Sequence, residues 1–263
     1  MKRPFKPLLP LVALGLTVLP LAAEAWVFSA DVLIRKVGVA RRNLRNGDVR
    51  LASLEVRGHL ALHGEEARAA AGALGLPFDA AAPDLTLTLP ATAHYKIPGR
   101  CRLEVQPGAS AGAPRLAISS RGERAAGDAR QAVLEMFAEL ACPLLDGRGG
   151  YEGPSELARA AGIRRSLVTL GRAEGQQIAY VVGAAPTEAA ASSLWVSKET
   201  FQPLRFVERR AAATRVVRLI DYDSAEAGRW HPRRIEFFQA GRLIGTFSID
   251  AATPNPKLSD ALF

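Results

Sequence analysis

Cys101 and Cys142, the histidines His59, His63, His94 and His231, and the two aspartates of "DYD" (Asp221 and Asp223) are the residues of this sequence best suited to chemistry. Two thiols exported to an oxidising compartment favour a disulfide, which would close a loop of about 41 residues and stabilise the fold by roughly 4 kcal/mol on chain-entropy grounds. The other reading of the pair is two buried free thiols. No metal site is expected, because the four histidines show no ligand spacing with either cysteine or with one another. His59 and His63 stand four apart, but in a segment that alternates like a strand, where that spacing spans about 13 Å. Asp221 and Asp223 would share one side of a strand and suggest a paired acid and base. The plainer reading is solvated charges at a strand's end.

The catalytic signatures are missing from the sequence. It contains no G-x-S-x-G elbow, no H-E-x-x-H, no G-x-G-x-x-G and no phosphate-binding loop. "GRGGYEG" (147–153) is glycine-rich but follows no strand at the required spacing and reads as a loop. The expectation is a protein without enzymatic activity, cofactor or metal, although a site assembled from scattered residues would leave no local motif.

The start of the chain sets the compartment. Residues 1–25 combine a basic beginning (Lys2, Arg3, Lys6), an apolar centre from Leu8 to Leu21, and small residues at Ala23 and Ala25, the pattern of a secretory signal cut before Trp26. Against an uncleaved anchor stand Pro10 and Pro20 and an apolar stretch of about 16 residues, roughly 24 Å of helix against a hydrocarbon core of roughly 30 Å. No cysteine stands at the cleavage point, so no lipid is expected on the mature chain, residues 26–263, which reads as soluble in an exported compartment and long enough for one large domain or two small ones. Loss of Lys2, Arg3, Lys6 and Glu24 lowers the net charge from +8 to +6. These cations are scattered among acidic neighbours without interleaved aromatics, which argues against a nucleic-acid partner. Weak attraction to anionic lipid head groups stays open.

The hydrophobic period changes along the chain. "SADVLIRKVGVARRNL" predicts a short amphipathic helix capped by Ser29, with Val32, Leu33, Val37 and Ala40 on one face. Then Leu54, Val56, Leu60 and Leu62 alternate with polar residues around Gly58, followed by strand-like "DLTLTLP", "ATAHYKI" and "CRLEVQP", with Cys101, Leu103 and Val105 on one face. Between them, "GEEARAAAGALGLPFDAAAP" reads as a loop or loose lid. "DARQAVLEMFAELACPLLDG" predicts a helix from an Asp128 cap, lining up Val133, Met136, Phe137, Leu140 and Leu144, with Pro143 bending or ending it. "PSELARAAG" predicts a second helix, with Pro154 in its first turn and Gly162 at its stop.

Seven strand-like segments then run from "RRSLVTLGR" to "RLIGTFSID". Gly241 in "QAGR" (239–242) supplies positive φ for a tight turn. Within "SLWVSKETFQPLRFVERR" (193–210), two strands flank the connection "KETFQP", and the aromatic residues are expected to pack a core. Short connections predict an antiparallel meander whose strands pair with their sequence neighbours.

This order of signal segment, short helix, "LEVRGHLAL" strand, central helices, "LWVSKETFQPLRF" and a closing hairpin ending in "NPKLSDALF" resembles the outer-membrane lipoprotein-sorting proteins, the LolA-like periplasmic carriers. The resemblance runs over most of the chain after residue 26, most clearly from Ser193 to Phe263. It implies an α+β fold, with a strongly curved antiparallel sheet, an unclosed β-barrel, whose concave face is covered by helices. It also implies an apolar cavity shielding the acyl chains of lipoproteins or another lipid, partner proteins at the inner and outer membranes, and a monomer. Each buried methylene contributes about 0.8 kcal/mol, so such a site needs apolar wall and no catalytic group. The candidate wall residues are Leu54, Val56, Leu60, Leu62, Leu103, Val105, Trp195, Leu204, Phe206, Phe237 and Phe247. The family's arginine before a proline in an early strand, associated with the closed state, has no equivalent: Ile97 precedes Pro98, flanked by Lys96 and Arg100. A scaffold or sensor on the same fold, binding another envelope protein, is the competing reading.

Overall fold

Ser29 opens the first helix, α1 (Ala30–Arg42), accepting a hydrogen bond from the Val32 backbone N–H at 3.4 Å. The computed structural model describes residues 28–79, 82, 84–108, 115–120, 124–125, 131–146, 152–185, 187–188 and 191–263. The expected signal segment, Asp128 and most of "GRGGYEG" lie outside them. The face that α1 buries holds Ala30, Leu33, Ile34, Val37 and Arg41, one stripe at helical spacing. Val32 and Ala40, expected on that face, are not in it.

A small hairpin, β1 (Arg45–Asn46) and β2 (Val49–Arg50), leads into β3 (Ser53–His63). Alternation puts Leu54, Val56, Leu60 and Leu62 of β3 in the core. Gly58 continues that row where a Cβ would stand 1.9 Å from the Ser248 carbonyl oxygen, beside the register shift between Ile249 and Ala251. A glycine at a bulge lets two strands approach while the sheet bends.

Residues 65–73 differ from the sequence expectation of a loop. They form helix α2 (Glu65–Ala73), with Ala67, Ala70, Ala71 and Leu74 buried. Alanine is the best helix former, and a stripe of methyl groups gives too weak an apolar period to be read from sequence. "DLTLTLP" and "ATAHYKI" are one strand, β4 (Thr86–Lys96). The last residue of β5 (Arg100–Val105), Val105, pairs with Ala91, so Pro90 falls just past that ladder, where its missing N–H leaves the β4–β5 pairs intact.

After β5 (Arg100–Val105), β6 (Leu116–Ser119) and β7 (Arg124–Ala125) comes the helical segment α3 (Ala132–Met136), a π-turn (Phe137–Ala141) and α4 (Cys142–Leu145). Pro143 explains the widening: it lacks an N–H, and its ring presses on the carbonyl four residues back. The expected stripe of Val133, Met136, Phe137, Leu140 and Leu144 is buried throughout. Helix α5 (Glu152–Ala160) ends before Gly162 at φ +65°.

Strands β8 (Val168–Arg172), β9 (Ile178–Val182), β10 (Ser193–Ser197), β11 (Pro203–Arg209), β12 (Thr214–Ile220), β13 (Arg234–Gln239) and β14 (Arg242–Pro254) complete the sheet. Its twelve strands run antiparallel in the order β7-β6-β5-β4-β3-β14-β13-β12-β11-β10-β9-β8. The chain enters in the middle at β3, builds one half to β7, crosses through the helices, and returns strand by strand from β8 to β14. The two halves join where β14 pairs with β3. The sheet is not closed: β7 and β8 lie at opposite ends. It is curled, however, because Ile118 of β6, second in the order, and Glu208 of β11, ninth, line the same pocket. The fold is therefore an α+β unclosed barrel whose enclosed face is covered by helices.

Candidate functional site

Nine of the eleven candidate wall residues meet on the helix-covered face. Leu54, Val56, Leu60, Leu62, Leu103, Val105, Phe206, Phe237 and Phe247 belong to one apolar cluster with α1 and the α3–α4 segment, and each is fully buried. Phe137 of the π-turn reaches between Tyr95 and Phe247, with ring centroids at 6.4 and 6.5 Å.

Trp195 and Leu204 are not part of that wall. They pack on the opposite face in a satellite cluster with Ala173, Ala179, Val181 and Ala184. Trp195 alternates away from Leu194 and Val196, which do join the main core. Leu204 follows because the β10–β11 register shifts: Trp195 pairs with Arg205 but Val196 with Pro203, so Leu204 is the extra residue of a bulge. Arg205 stacks over the Trp195 ring at 4.7 Å and pairs with Glu174. The 193–210 hairpin thus offers Phe206 to one side of the sheet and Trp195 to the other.

Three devices hold the helices onto the wall. The first is the Cys101–Cys142 disulfide, with Cα atoms 6.1 Å apart, joining β5 to α4. The second is Arg41 of α1, which is 3% exposed. Its Nε and Nη2 donate to the Leu145 carbonyl at 3.2 and 2.7 Å, and its Nη1 donates to the Trp230 carbonyl at 2.7 Å. Burial depresses its basicity, opposed by Tyr222, Tyr95 and Asp146. The third is an ion cluster: Arg215 Nη2 meets Glu208 at 2.5 Å and Glu139 of the π-turn at 2.8 Å, and Arg210 binds the same two carboxylates at 2.9 and 3.1 Å. Lys96 and Arg100, which flank Ile97 and Pro98, hold Asp260 at 2.5 and 2.6 Å on the surface. The arginine that ties helix to helix under the wall is Arg41, from a different element.

His231 sits in the core beside these devices. Its Nδ1 faces the Pro232 carbonyl at 2.7 Å, which can only accept, so Nδ1 carries the proton and Nε2 accepts from the Tyr95 hydroxyl at 2.8 Å. Burial pushes the imidazole pKa down to about 3 and the Tyr95 hydroxyl upward. His59 and His63 lie on β3, paired with Asp250 and Thr86. Asp221 and Asp223 are exposed turn residues beyond the end of β12, at φ +57° and +67°. Among the described residues, no three His, Cys, Asp or Glu side chains converge as metal ligands.

Where the curled sheet fails to close, a half-open pocket of about 360 Å³ remains, within the roughly 300–1,000 Å³ of small-ligand sites. Ile118, Ala138, Leu140 and Leu157 form its apolar floor, and Glu135, Glu139, Glu208 and Arg210 its polar rim. Sequence reading identified Leu140 only as a helix-face residue and missed the rest, because β6, the π-turn, α5 and β11 meet only through the curl.

No family model matches the sequence, and no curated protein matches it. Among solved structures the chain is similar to a LolA superfamily protein from Nitrosomonas europaea, 15% identical, covering 90% of this chain and 98% of that one at a TM-score of 0.47. It is also similar to an outer membrane lipoprotein-sorting protein domain from Vibrio parahaemolyticus, 9% identical over 88% and 96% of the two chains at 0.44. A third is MucB in the Pseudomonas aeruginosa MucA/MucB complex, 11% identical over 89% of this chain and 59% of that one at 0.29.

Proposed function

We propose that this is a periplasmic binding protein that shields the acyl chains of lipoproteins, or of another lipid, against the apolar concave face of its sheet, without enzymatic activity. Residues 1–25 are proposed as its cleaved export signal, and 26–263 as one carrier domain acting as a monomer between inner- and outer-membrane partners. Among the described residues no helix is long and apolar enough to cross a membrane. The observation that carries the reading is the wall itself: nine large apolar side chains from β3, β5, β11, β13 and β14 on one enclosed face. Beside it lies a pocket with a charged rim, whose apolar floor residues Ile118, Ala138, Leu140 and Leu157 belong to the same apolar cluster as the wall. An acyl chain would enter there and reach the wall as the covering helices lift. Because Cys142 anchors α4 to β5 and Arg41 ties α1 to α4, the lifting falls to α5.

A second reading is favoured by the full burial of all nine wall residues under the chain's own helices. A protein so filled suits a scaffold that binds another envelope protein through its outer surface. Two measurements decide. Mass spectrometry of protein purified from its native envelope without detergent is expected to find bound lipid or lipoprotein. A fluorescent fatty-acid probe is expected to bind the wild type and to lose affinity in Phe206→Glu by more than the urea midpoint falls, since a charge in a dry pocket carries a large desolvation cost. No probe binding, or loss only in step with stability, would leave the scaffold.

A further inference from the structure

We infer that the outward face of α1 is a docking surface for an anionic lipid bilayer, separate from the concave wall and independent of what that wall binds. Helix α1 is amphipathic toward the core, yet it carries a second apolar stripe facing away from it. Val32 is 37% exposed and Val39 47%; Phe28, just ahead of the helix and 39% exposed, sits at the stripe's edge with its ring against Tyr180 and Phe201. At about 100° per residue, Val32 and Val39 differ by about 20°, with Lys36 about 40° to one side and Arg35 and Arg42 about 60–80° to the other. The buried stripe of Ala30, Leu33, Ile34, Val37 and Arg41 lies on the opposite side of the cylinder.

The charges around the stripe decide what fits it. Lys36 lies over the Phe28 ring at 4.8 Å and the Phe201 ring at 4.3 Å, so its ammonium borders the apolar row. Arg50 of the β1–β2 hairpin donates its Nε to the Arg42 carbonyl at 3.0 Å, extending the basic edge past the helix end with exposed Arg45 and with Val49, 63% exposed. Asp31, the acidic residue of the helix, is engaged by Arg165 at 3.1 Å, and exposed Asp48 of the hairpin is outnumbered by Arg35, Lys36, Arg42, Arg45 and Arg50, so the outer face is net basic. A protein partner buries such a row in a matching groove. A lipid surface needs only apolar side chains able to enter the head-group layer, flanked by cations able to meet phosphates, and this face supplies that pattern. The other side of α1 is committed to the core, so the helix lies shallowly, parallel to the bilayer.

Flotation of the mature protein with vesicles tests this. Binding is expected to vesicles of equal parts phosphatidylcholine and phosphatidylglycerol, to weaken with added salt, and to be absent on phosphatidylcholine alone. Arg42→Gln is expected to lower partitioning about fivefold. The double variant Val32→Ser, Val39→Ser changes only exposed side chains, so the fold survives, and is expected to lower it further. Arg172→Gln, an exposed cation on β8, serves as a control and leaves it unchanged. Equal binding to both lipids, no binding, or binding indifferent to the α1 variants would overturn the inference. Salt-sensitive capture of a polyglutamate peptide without vesicle binding would overturn it in favour of a protein partner. Soluble fatty-acid probe binding, measured without vesicles, reports on the concave wall and is unaffected by these substitutions.

Discussion

Replacing Arg41 by methionine removes the donors that join α1 to α4 and to the loop of Trp230 while keeping an unbranched chain of similar length. Two carbonyls, those of Leu145 and Trp230, lose donors at 2.7 Å. An unsatisfied buried acceptor costs about 1–3 kcal/mol, and removing a buried guanidinium returns part of that as relief of its own desolvation. The expected net loss is about 2–4 kcal/mol. For a chain of this size that corresponds to roughly 4–16 °C in Tm. Arg41→Lys keeps the charge but not the fork, since a compact ammonium cannot serve both carbonyls in the same geometry, and should fall between. Arg42→Met, one residue along and exposed, controls for charge and helix propensity and should stay within about 0.5 kcal/mol. Thermal and urea unfolding of the four proteins, with the disulfide intact, is the assay. An Arg41→Met protein as stable as wild type would refute the reasoning, because it would mean that burying the charge costs as much as its bonds contribute.

Reduction of the Cys101–Cys142 bond is expected to cost about 4 kcal/mol in urea unfolding, and thiol labelling of the unfolded, unreduced chain should find no free cysteine; two labelled thiols would contradict it. His231 has a folded pKa of about 3 against about 6.5 unfolded, so the unfolded chain binds more protons between those values. Its contribution is complete above about pH 6.5 and is lost as the pH falls, by about 1.4 kcal/mol per unit at most, and a His231→Gln variant should show a shallower acid slope. Gly171→Ala places a Cβ 2.8 Å from the Trp195 ring and should cost about 1–3 kcal/mol without altering fatty-acid probe affinity beyond the change in stability, since that ring faces away from the wall; a selective loss of probe would put Trp195 back in the site.

Much of the fold was legible because it follows from local periodicity. The alternation of β3, the Ser29 cap, the positive φ at Gly241 and the strand–turn–strand of 193–210 are set by neighbours within a few residues, and each stands as read. The limit of that reading shows at α2. Its alanines carry high helix propensity but little apolar contrast, so their burial against β3 and β4 is a decision of packing rather than of pattern. Val32 and Ala40 mark the same limit on α1: both are apolar in type, but Val32 lies outward and Ala40 is half-buried, outside the stripe that the core takes.

The sequence by itself determined most of the strands and helices, though not α2, and that the two cysteines were suited to pair; it nominated eleven apolar side chains as one wall, of which nine share a face. The side of the sheet on which each candidate lies was a tertiary matter. One extra residue in β11 sends Leu204 away from the wall that Phe206 joins, since side-chain direction has period two and a single insertion inverts it. The half-open pocket, the Arg41 bonds and the Glu208–Arg215–Glu139 cluster likewise depend on distant segments meeting. Arg41 and Leu145 stand 104 residues apart, and only the curl of the sheet brings β6 and β11 to opposite sides of one opening. Local physics writes the elements; closing the sheet around its helices decides which of their faces become a site.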